Sequence, residues 1–365
     1  MSRKTNRREF VKTLGAASAT AALATLGFPA LSLAKSKKTL GVALVGLGYY
    51  STSILAPALQ KTKHCKLMGI VTGSPDKVPK WKEDYGIADK NVYNYENMHT
   101  IADNPDIDVI YIVLPPGLHT EYSVIAANAG KHVWCEKPMA RTVEECQQII
   151  DACKENKVKL SMGYRMQHEP NTLEIMRFAK KKTYGKIVKV RAEAGYYDGR
   201  TTHWKQIKEL GGGAMYDMGV YPLNAARYAT GEEPIAVTAR HETTRPEVYH
   251  EVDETTYFDL EFPSGAIANC QTSLGKGMNI LHVDCSKGWY ELSPFQAYSG
   301  IKGRTSDGKM LNQTIPNQQA KQMDDDSLAI MNDTDVMVPG MEGLLDIKVV
   351  EAVYRSAKLG KRVEI

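Results

Sequence analysis

The sequence predicts an α/β protein. A parallel, doubly wound sheet comes first, and a second α/β domain with an open, mostly antiparallel sheet follows. Three observations predict this. An apolar run, Gly41-Val42-Ala43-Leu44-Val45, ends in Gly46-Leu47-Gly48 and leads into a helical pattern. Short apolar runs then alternate with amphipathic stretches to about residue 160. Beyond that point, strand-like runs follow one another with little helix between them.

Strands are predicted over 40–45, 66–71, 109–114 and 132–135, with helical patterns such as 119–128 and 143–154 between them. Apolar strands separated by amphipathic helices, joined by right-handed crossovers, form a parallel sheet. Asp106 and Asp108 punctuate the turn before the third strand. Pro115-Pro116-Gly117 ends that strand at the carboxyl edge, where such sheets bind ligands. A helix is predicted over 172–181 and a strand over 187–194. The turn Gly211-Gly212-Gly213 precedes a helix from about 215 to 228. Strand-like runs over 235–241, 255–262, 266–273 and 278–285 predict the antiparallel sheet. Residues 302–325 are polar, poorly patterned and read as a long loop. A helix over 344–358 closes the chain, with Gly360 as its C-cap. The predicted domains are a dinucleotide-binding Rossmann domain over 35–160 and a second α/β domain over 161–365.

Length and composition agree with two cored domains: 365 residues, 43% hydrophobic and 24% charged. The formal charge of +4 sits in the first 34 residues, which carry five basic side chains against one acidic. The rest holds 41 of each sign, so no basic surface argues for nucleic acid. Residues 1–34 read as a twin-arginine signal peptide. Asn6-Arg7-Arg8-Glu9-Phe10-Val11-Lys12 precedes an Ala-rich, mildly apolar stretch ending in Ser32-Leu33-Ala34. A membrane anchor is the competing reading of this stretch. The twin-arginine export machinery is the implied partner, and the periplasm or another exported location the implied address. That route moves folded proteins, so a nucleotide cofactor on this chain must be bound tightly enough to travel. The six cysteines have no metal-like spacing and read as buried thiols; no metal site is predicted.

The chemistry-bearing residues cluster around the carboxyl edge of the first sheet. Gly46 and Gly48 permit a tight turn and close approach of backbone to a pyrophosphate, with Ser51 replacing a third glycine. Where an NAD site usually carries an acid for the ribose hydroxyls, the second strand ends in Val71-Thr72-Gly73-Ser74, then Lys77. The hydroxyls of Thr72 and Ser74 and the cation of Lys77 suit a 2′-phosphate, so NADP is favoured, with NAD as the alternative. Cys135-Glu136-Lys137-Pro138 puts a lysine at the mouth of the sheet, where an ammonium lowers the pKa of a neighbouring acid. Asp217 and Tyr221, four apart on the predicted helix, share a face and offer an acid and a phenol for proton transfer. In the polar stretch before Gly211, Trp204 can stack on a ring and Lys205 can meet a phosphate. A surface lysine, a core tyrosine and a packed loop aromatic are the ordinary structural readings of these same residues.

Taken together, these positions resemble the glucose-fructose oxidoreductase, inositol dehydrogenase and rhizopine catabolism (Gfo/Idh/MocA) family over nearly all of the chain after residue 34. The likeness lies in Gly46-Leu47-Gly48-Tyr49-Tyr50, Leu114-Pro115-Pro116-Gly117-Leu118-His119, 130–138, Gly163-Tyr164-Arg165, 204–221 and 343–360. It is strongest to the periplasmic glucose-fructose branch, which carries tyrosine at the position of Tyr221 where many members carry histidine. The resemblance implies a nicotinamide cofactor across the cleft and an open sheet that forms homo-oligomers, dimers or tetramers. It implies that Lys137, Asp217 and Tyr221 are catalytic. It also implies cofactor contacts from Tyr49, Tyr50, Ser74, Lys77, Leu114, His119, Glu136, Arg165, Trp204 and Lys205. Residues 195–203 and 290–318 depart from the glucose-fructose branch.

The expected activity is therefore an exported oxidoreductase that transfers hydride between a sugar or polyol and tightly bound NADP, recycled by a second sugar in the same site. Two alternatives stay open. One is an NAD-dependent glycosidase of the same fold, working by oxidation, elimination, hydration and reduction. The other is a non-enzymatic, cofactor-bearing sugar-binding or assembly protein.

Overall fold

The computed structural model describes residues 38–365. The predicted signal peptide lies outside the described residues. Fifteen strands and eight α-helices are placed among them. The strands are β1 (Leu40–Val45), β2 (Cys65–Val71), β3 (Val92–Tyr93), β4 (Val109–Ile112), β5 (His132–Cys135), β6 (Leu160–Met162), β7 (Ile187–Tyr197) and β8 (Ala236–Glu242). They continue as β9 (Thr255–Glu261), β10 (Ile267–Ser273), β11 (Gly275–Cys285), β12 (Gly288–Leu292), β13 (Gly303–Thr305), β14 (Met310–Leu311) and β15 (Val363–Glu364). The helices are α1 (Ala56–Leu59), α2 (Val78–Tyr85), α3 (Pro116–Asn128), α4 (Val143–Glu155), α5 (Pro170–Lys181), α6 (Val220–Thr230), α7 (Gln318–Met331) and α8 (Gly340–Leu359).

Strands β1 to β6 form a parallel sheet in the order β3-β2-β1-β4-β5-β6. The order reverses beside β1, so the glycine loop after β1 lies at the topological switch point where such sheets take ligands. β1 is buried along its whole length, as a strand covered on both faces must be. The second sheet runs β14-β13-β12-β11-β7-β10-β9-β8-β15. It is antiparallel except for β7 beside β10, which run parallel. Its covered face presents Val190, Ala192, Phe258, Leu260, Ala268, Leu281 and Val283 to the core. α5, α6 and α8 pack over this sheet or against one another beside it. Arg227 of α6 is buried and pairs with Asp346 at 2.6 Å and Glu342 at 3.0 Å, both of α8. This pairing fixes the helix that carries Tyr221.

The expected loop over 302–325 is corrected by the structure. It holds β13, β14 and the first half of α7. Helix α7 was hidden because its buried face is polar: Gln318, Gln319, Gln322, Asp326 and Ser327 are buried with only Ala320, Met323 and Ala329 beside them. The helix returns to the first domain, where Ala320 and Met323 join the core around β1 and β2. The helix expected from 215 also differs at its start. Residues Met215–Gly219 form a wide turn with i→i+5 bonding before α6 proper begins.

All six cysteines are thiols. Burial pushes Cys65 up to about 12 and Cys285 up to about 11, so neither is a ready nucleophile. Among the described residues no helix is long and apolar enough to cross a membrane.

Candidate active site

The glycine loop is built to let a ligand in. Gly46 adopts φ +88°, and a Cβ there would lie 2.5 Å from the carbonyl oxygen of Val113 and 2.6 Å from the Leu114 side chain. Only glycine serves at that point. A Cβ on Gly48, by contrast, would meet no atom within 4 Å, because this stretch of backbone borders open space. Ser51 is fully buried and donates its hydroxyl to the Gly46 carbonyl, which explains why serine replaces the third glycine. A cavity of about 460 Å³ opens beside the loop, lined by Gly48, Tyr49, Thr52, Asp76, Lys77 and Trp81 among others. These features fit the pyrophosphate and adenosine half of a dinucleotide.

Thr72 and Ser74 sit at the end of β2, where the Thr72 hydroxyl accepts from the Ser74 amide at 3.0 Å. Lys77 donates to the Leu47 carbonyl at 3.0 Å, which holds its ammonium over the glycine loop. Asp76 faces the same cavity, an acid the sequence reading passed over. Tyr49 is largely exposed at the loop's rim.

Just past the end of β5, Glu136 is buried. It accepts from the Tyr111 hydroxyl at 2.6 Å and from the Lys137 amide at 3.2 Å. Its carboxylate packs on Gly163, where a Cβ would come within 2.7 Å of Oε1. Burial raises the Glu136 pKa, with Tyr111 and Lys137 opposing. His119 lies buried between the Leu114 carbonyl at 2.7 Å and the Pro138 carbonyl at 2.9 Å, so it braces the turn that presents Lys137. Arg165 is buried, donates to Gln318 Oε1 at 2.7 Å and to the Ala297 carbonyl at 3.0 Å, and lies 4.9 Å from the centre of the Tyr298 ring. Tyr50 approaches Tyr298 ring to ring at 6.0 Å.

Lys137, Asp217 and Tyr221 come together, though not as helix spacing predicted. Lys137 Nζ donates to the Asp217 main-chain carbonyl at 2.7 Å and stands 4.6 Å over the Tyr221 ring. Arg165 stands 5.7 Å from the same ring. The Asp217 carboxylate turns elsewhere. It accepts from Lys205 Nζ at 2.6 Å and from the Tyr196 hydroxyl at 3.0 Å. Burial alone would raise the Asp217 pKa. Lys205 and Lys137, with the hydrogen bonds from Lys205 and Tyr196, override it and hold the carboxyl below its ordinary value. Trp204 packs on His203, with Lys205 Nζ 5.6 Å from its ring.

Three contributors were not foreseen. Tyr196 is the next-to-last residue of β7, beyond the predicted strand end at 194, and nothing local marks its hydroxyl as a partner of Asp217. Asp253 accepts from the Met215 amide at 2.9 Å and the Tyr354 hydroxyl at 2.6 Å, and so fixes the start of the turn carrying Asp217. A Cβ on Gly213, at φ +105°, would strike that carboxylate at 2.3 Å, which explains one glycine of the triple turn. Tyr298 lies within 290–318, the flank that departs from the glucose-fructose branch. Among the described residues no His, Cys, Asp and Glu cluster suits a metal ion.

Comparison with known proteins fits this geometry. Residues 40–164 match the oxidoreductase family with an NAD-binding Rossmann fold, and residues 172–291 match the GFO/IDH/MocA C-terminal domain. An NADP-dependent D-xylose 1-dehydrogenase of Haloarcula marismortui is 26% identical over 342 residues, which cover 88% of this chain and 92% of that protein. The crystal structure of aldose-aldose oxidoreductase from Caulobacter crescentus, complexed with glycerol, superposes with a TM-score of 0.87 at 39% identity. It covers 90% of this chain and 100% of that one. A levoglucosan dehydrogenase in complex with NADH and L-sorbose shares the fold at a TM-score of 0.79 and 20% identity, covering 90% of this chain and 99% of that one. A dinucleotide cradle at the switch point, an open-sheet second domain and both matched regions make this chain an NAD(P)-dependent oxidoreductase of the GFO/IDH/MocA family.

Proposed function

We propose that the protein is an exported sugar oxidoreductase that keeps NADP bound and recycles it with a second sugar. The observation that carries this reading is the gathering of Lys137, Asp217 and Tyr221 beside Glu136 and Arg165, at the mouth of the cleft the glycine loop opens. The likeness to an aldose-aldose oxidoreductase, whose name gives a sugar as donor and as acceptor, supports the recycling. The twin-arginine pattern supports export. The open sheet of the second domain supports assembly into a dimer or tetramer.

The cofactor, when bound, supplies the site that accepts hydride from the sugar carbon and returns it. The protein's residues do the rest. Tyr221 takes the proton of the sugar hydroxyl as hydride leaves the same carbon. Tyr221 does this as the phenolate, and Lys137, held over its ring, stabilises the negative oxygen that the proton transfer neutralises. Asp217 accepts a second sugar hydroxyl and orients the ring. In the return half, Tyr221 gives its proton to the carbonyl oxygen of the second sugar, so one sugar loses two hydrogens and the other gains them. Holding donor carbon and acceptor at hydride distance supplies much of the acceleration.

The direct test is mass spectrometry after incubating native protein with mixed aldoses, ketoses and glycosides and no added cofactor. Paired products, one lighter and one heavier by two hydrogens, are expected. Glycosides split by water without net redox change would replace this reading with the glycosidase. Cofactor choice has its own test. Lys77→Ala is expected to weaken NADP about tenfold, ~1.4 kcal/mol, and NAD within twofold. An equal loss for both dinucleotides would remove Lys77 from the 2′-phosphate and leave Asp76 as the ribose partner.

A further inference from the structure

We propose that Lys205 and Tyr196 are positioning residues for the sugar reaction: together they clamp the Asp217 carboxylate and present it, with one free lysine N–H, to two neighbouring hydroxyls of the substrate. The inference rests on the reading of Asp217 as a sugar contact. It moves Lys205 from the cofactor phosphate, where sequence alone placed it, to the substrate.

The backbone makes the clamp. The Lys205 carbonyl accepts from the Gly213 amide at 2.8 Å, and a Cβ on Gly212 would lie 2.6 Å from it. The triple-glycine turn therefore packs directly on Lys205 and leads two residues later into the wide turn bearing Asp217. Short backbone separation aims the lysine at its carboxylate partner. Lys205 Nζ spends one proton on Asp217 at 2.6 Å and a second on the Tyr196 hydroxyl at 2.9 Å. An ammonium has three. Tyr196 accepts from Lys205 and donates to Asp217 at 3.0 Å, which closes a three-membered ring of hydrogen bonds. The lysine and aspartate side chains are only 16% and 10% exposed, so the pair is largely shielded from solvent. A carboxylate acceptor beside an ammonium donor matches a vicinal diol, the unit that sugars and inositols share.

Other charged groups face this ring. Lys137 arrives from the segment after β5 and binds the Asp217 main-chain carbonyl. Asp198 and Arg200 follow β7 and pair with each other at 2.7 Å; Arg200 lies 3.4 Å from the Tyr196 hydroxyl and 3.1 Å from His203. Tyr221 stands on α6. The Asp198–Arg200 pair is internally neutral, so Lys205 and Lys137 are the cations that set the state of Asp217.

The test compares Lys205→Met, Lys205→Arg and Tyr196→Phe. Each is scored by sugar kcat and KM against pH and by the dissociation constant for NADP(H). Lys205→Met is expected to lower kcat/KM for the sugar at least thirtyfold and to move the acid limb of the profile up by about one pH unit. NADP(H) affinity stays within twofold. Tyr196→Phe acts in the same direction with a smaller shift, and Lys205→Arg restores most of the loss. The inference fails if Lys205→Met weakens NADP(H) tenfold with an unmoved acid limb, which is the behaviour of a phosphate ligand. It fails as well if the sugar kinetics of both neutral variants match the wild type. If the wild type turns over no sugar, the functional reading falls by itself. A carbon-13 titration of the Asp217 carboxyl in wild type and Lys205→Met then decides the clamp: a higher midpoint in the variant upholds it, and an equal midpoint ends it.

Discussion

Tyr221→Phe is expected to purify with as much cofactor as the wild type and to lose about a thousandfold in turnover, ~4 kcal/mol of barrier. The Tyr221 phenol is the proton-exchanging group that Lys137 and Arg165 both face, at 4.6 and 5.7 Å from the ring centre. Its neighbours are otherwise engaged. Glu136 is bonded to Tyr111 and to the Lys137 amide, and Asp217 is bonded to Lys205 and Tyr196. Removing one oxygen leaves the ring under Lys137 in place, so the cofactor wall is preserved while the proton acceptor is lost. The measurement is bound-cofactor absorbance after desalting, followed by single-turnover reduction with an excess of aldose. Turnover within tenfold of the wild type would take Tyr221 out of the proton path. Loss of cofactor together with turnover would make it a wall residue.

The glycine loop was legible because its signal is local. A buried strand, two glycines and a following helix need nothing from the rest of the chain, and β1 begins and ends at the predicted residues. Strand β5 was legible for the same reason, and it delivers Lys137 to the sheet's mouth. The partnership of Asp217 was not. A spacing of four on a regular helix predicted a shared face with Tyr221. The wide turn over Met215–Gly219 changes the angular step, and the carboxylate meets Tyr196 and Lys205 instead. Those contacts bridge 21 and 12 residues and depend on how β7 and the triple-glycine turn are laid against α6. Helix α7 escaped because hydrophobic periodicity is the usual helix signal, and its inner face meets polar groups. Gln318 meets Arg165, Gln319 approaches Tyr50 and Gln322 approaches Tyr111. A helix that docks through amides reads in sequence as a loop.

The same polar face carries a stability cost that one substitution should relieve. Asp326 of α7 is fully buried, and neither carboxylate oxygen makes a hydrogen bond of good geometry, although the Ser161 and Gln322 side chains lie nearest. Burial pushes its pKa from 3.8 up to about 6, with His168, Ser161 and Gln322 only partly opposing. A carboxyl whose folded pKa is raised favours the folded state while it is protonated. Its contribution is whole below about pH 4 and is lost as pH rises through about 6. At pH 7.5 the ionised group therefore costs about 2–3 kcal/mol. Asp326→Asn removes the charge at nearly constant volume. The variant is expected to melt about 5 °C higher than the wild type at pH 7.5. That advantage should shrink through pH 6 and vanish by pH 4. Thermal melts of the two proteins across that range decide the matter. An equal or lower melting temperature at pH 7.5, or a gain that persists at pH 4, would show that α7 docks through the Asp326 carboxylate and not in spite of it.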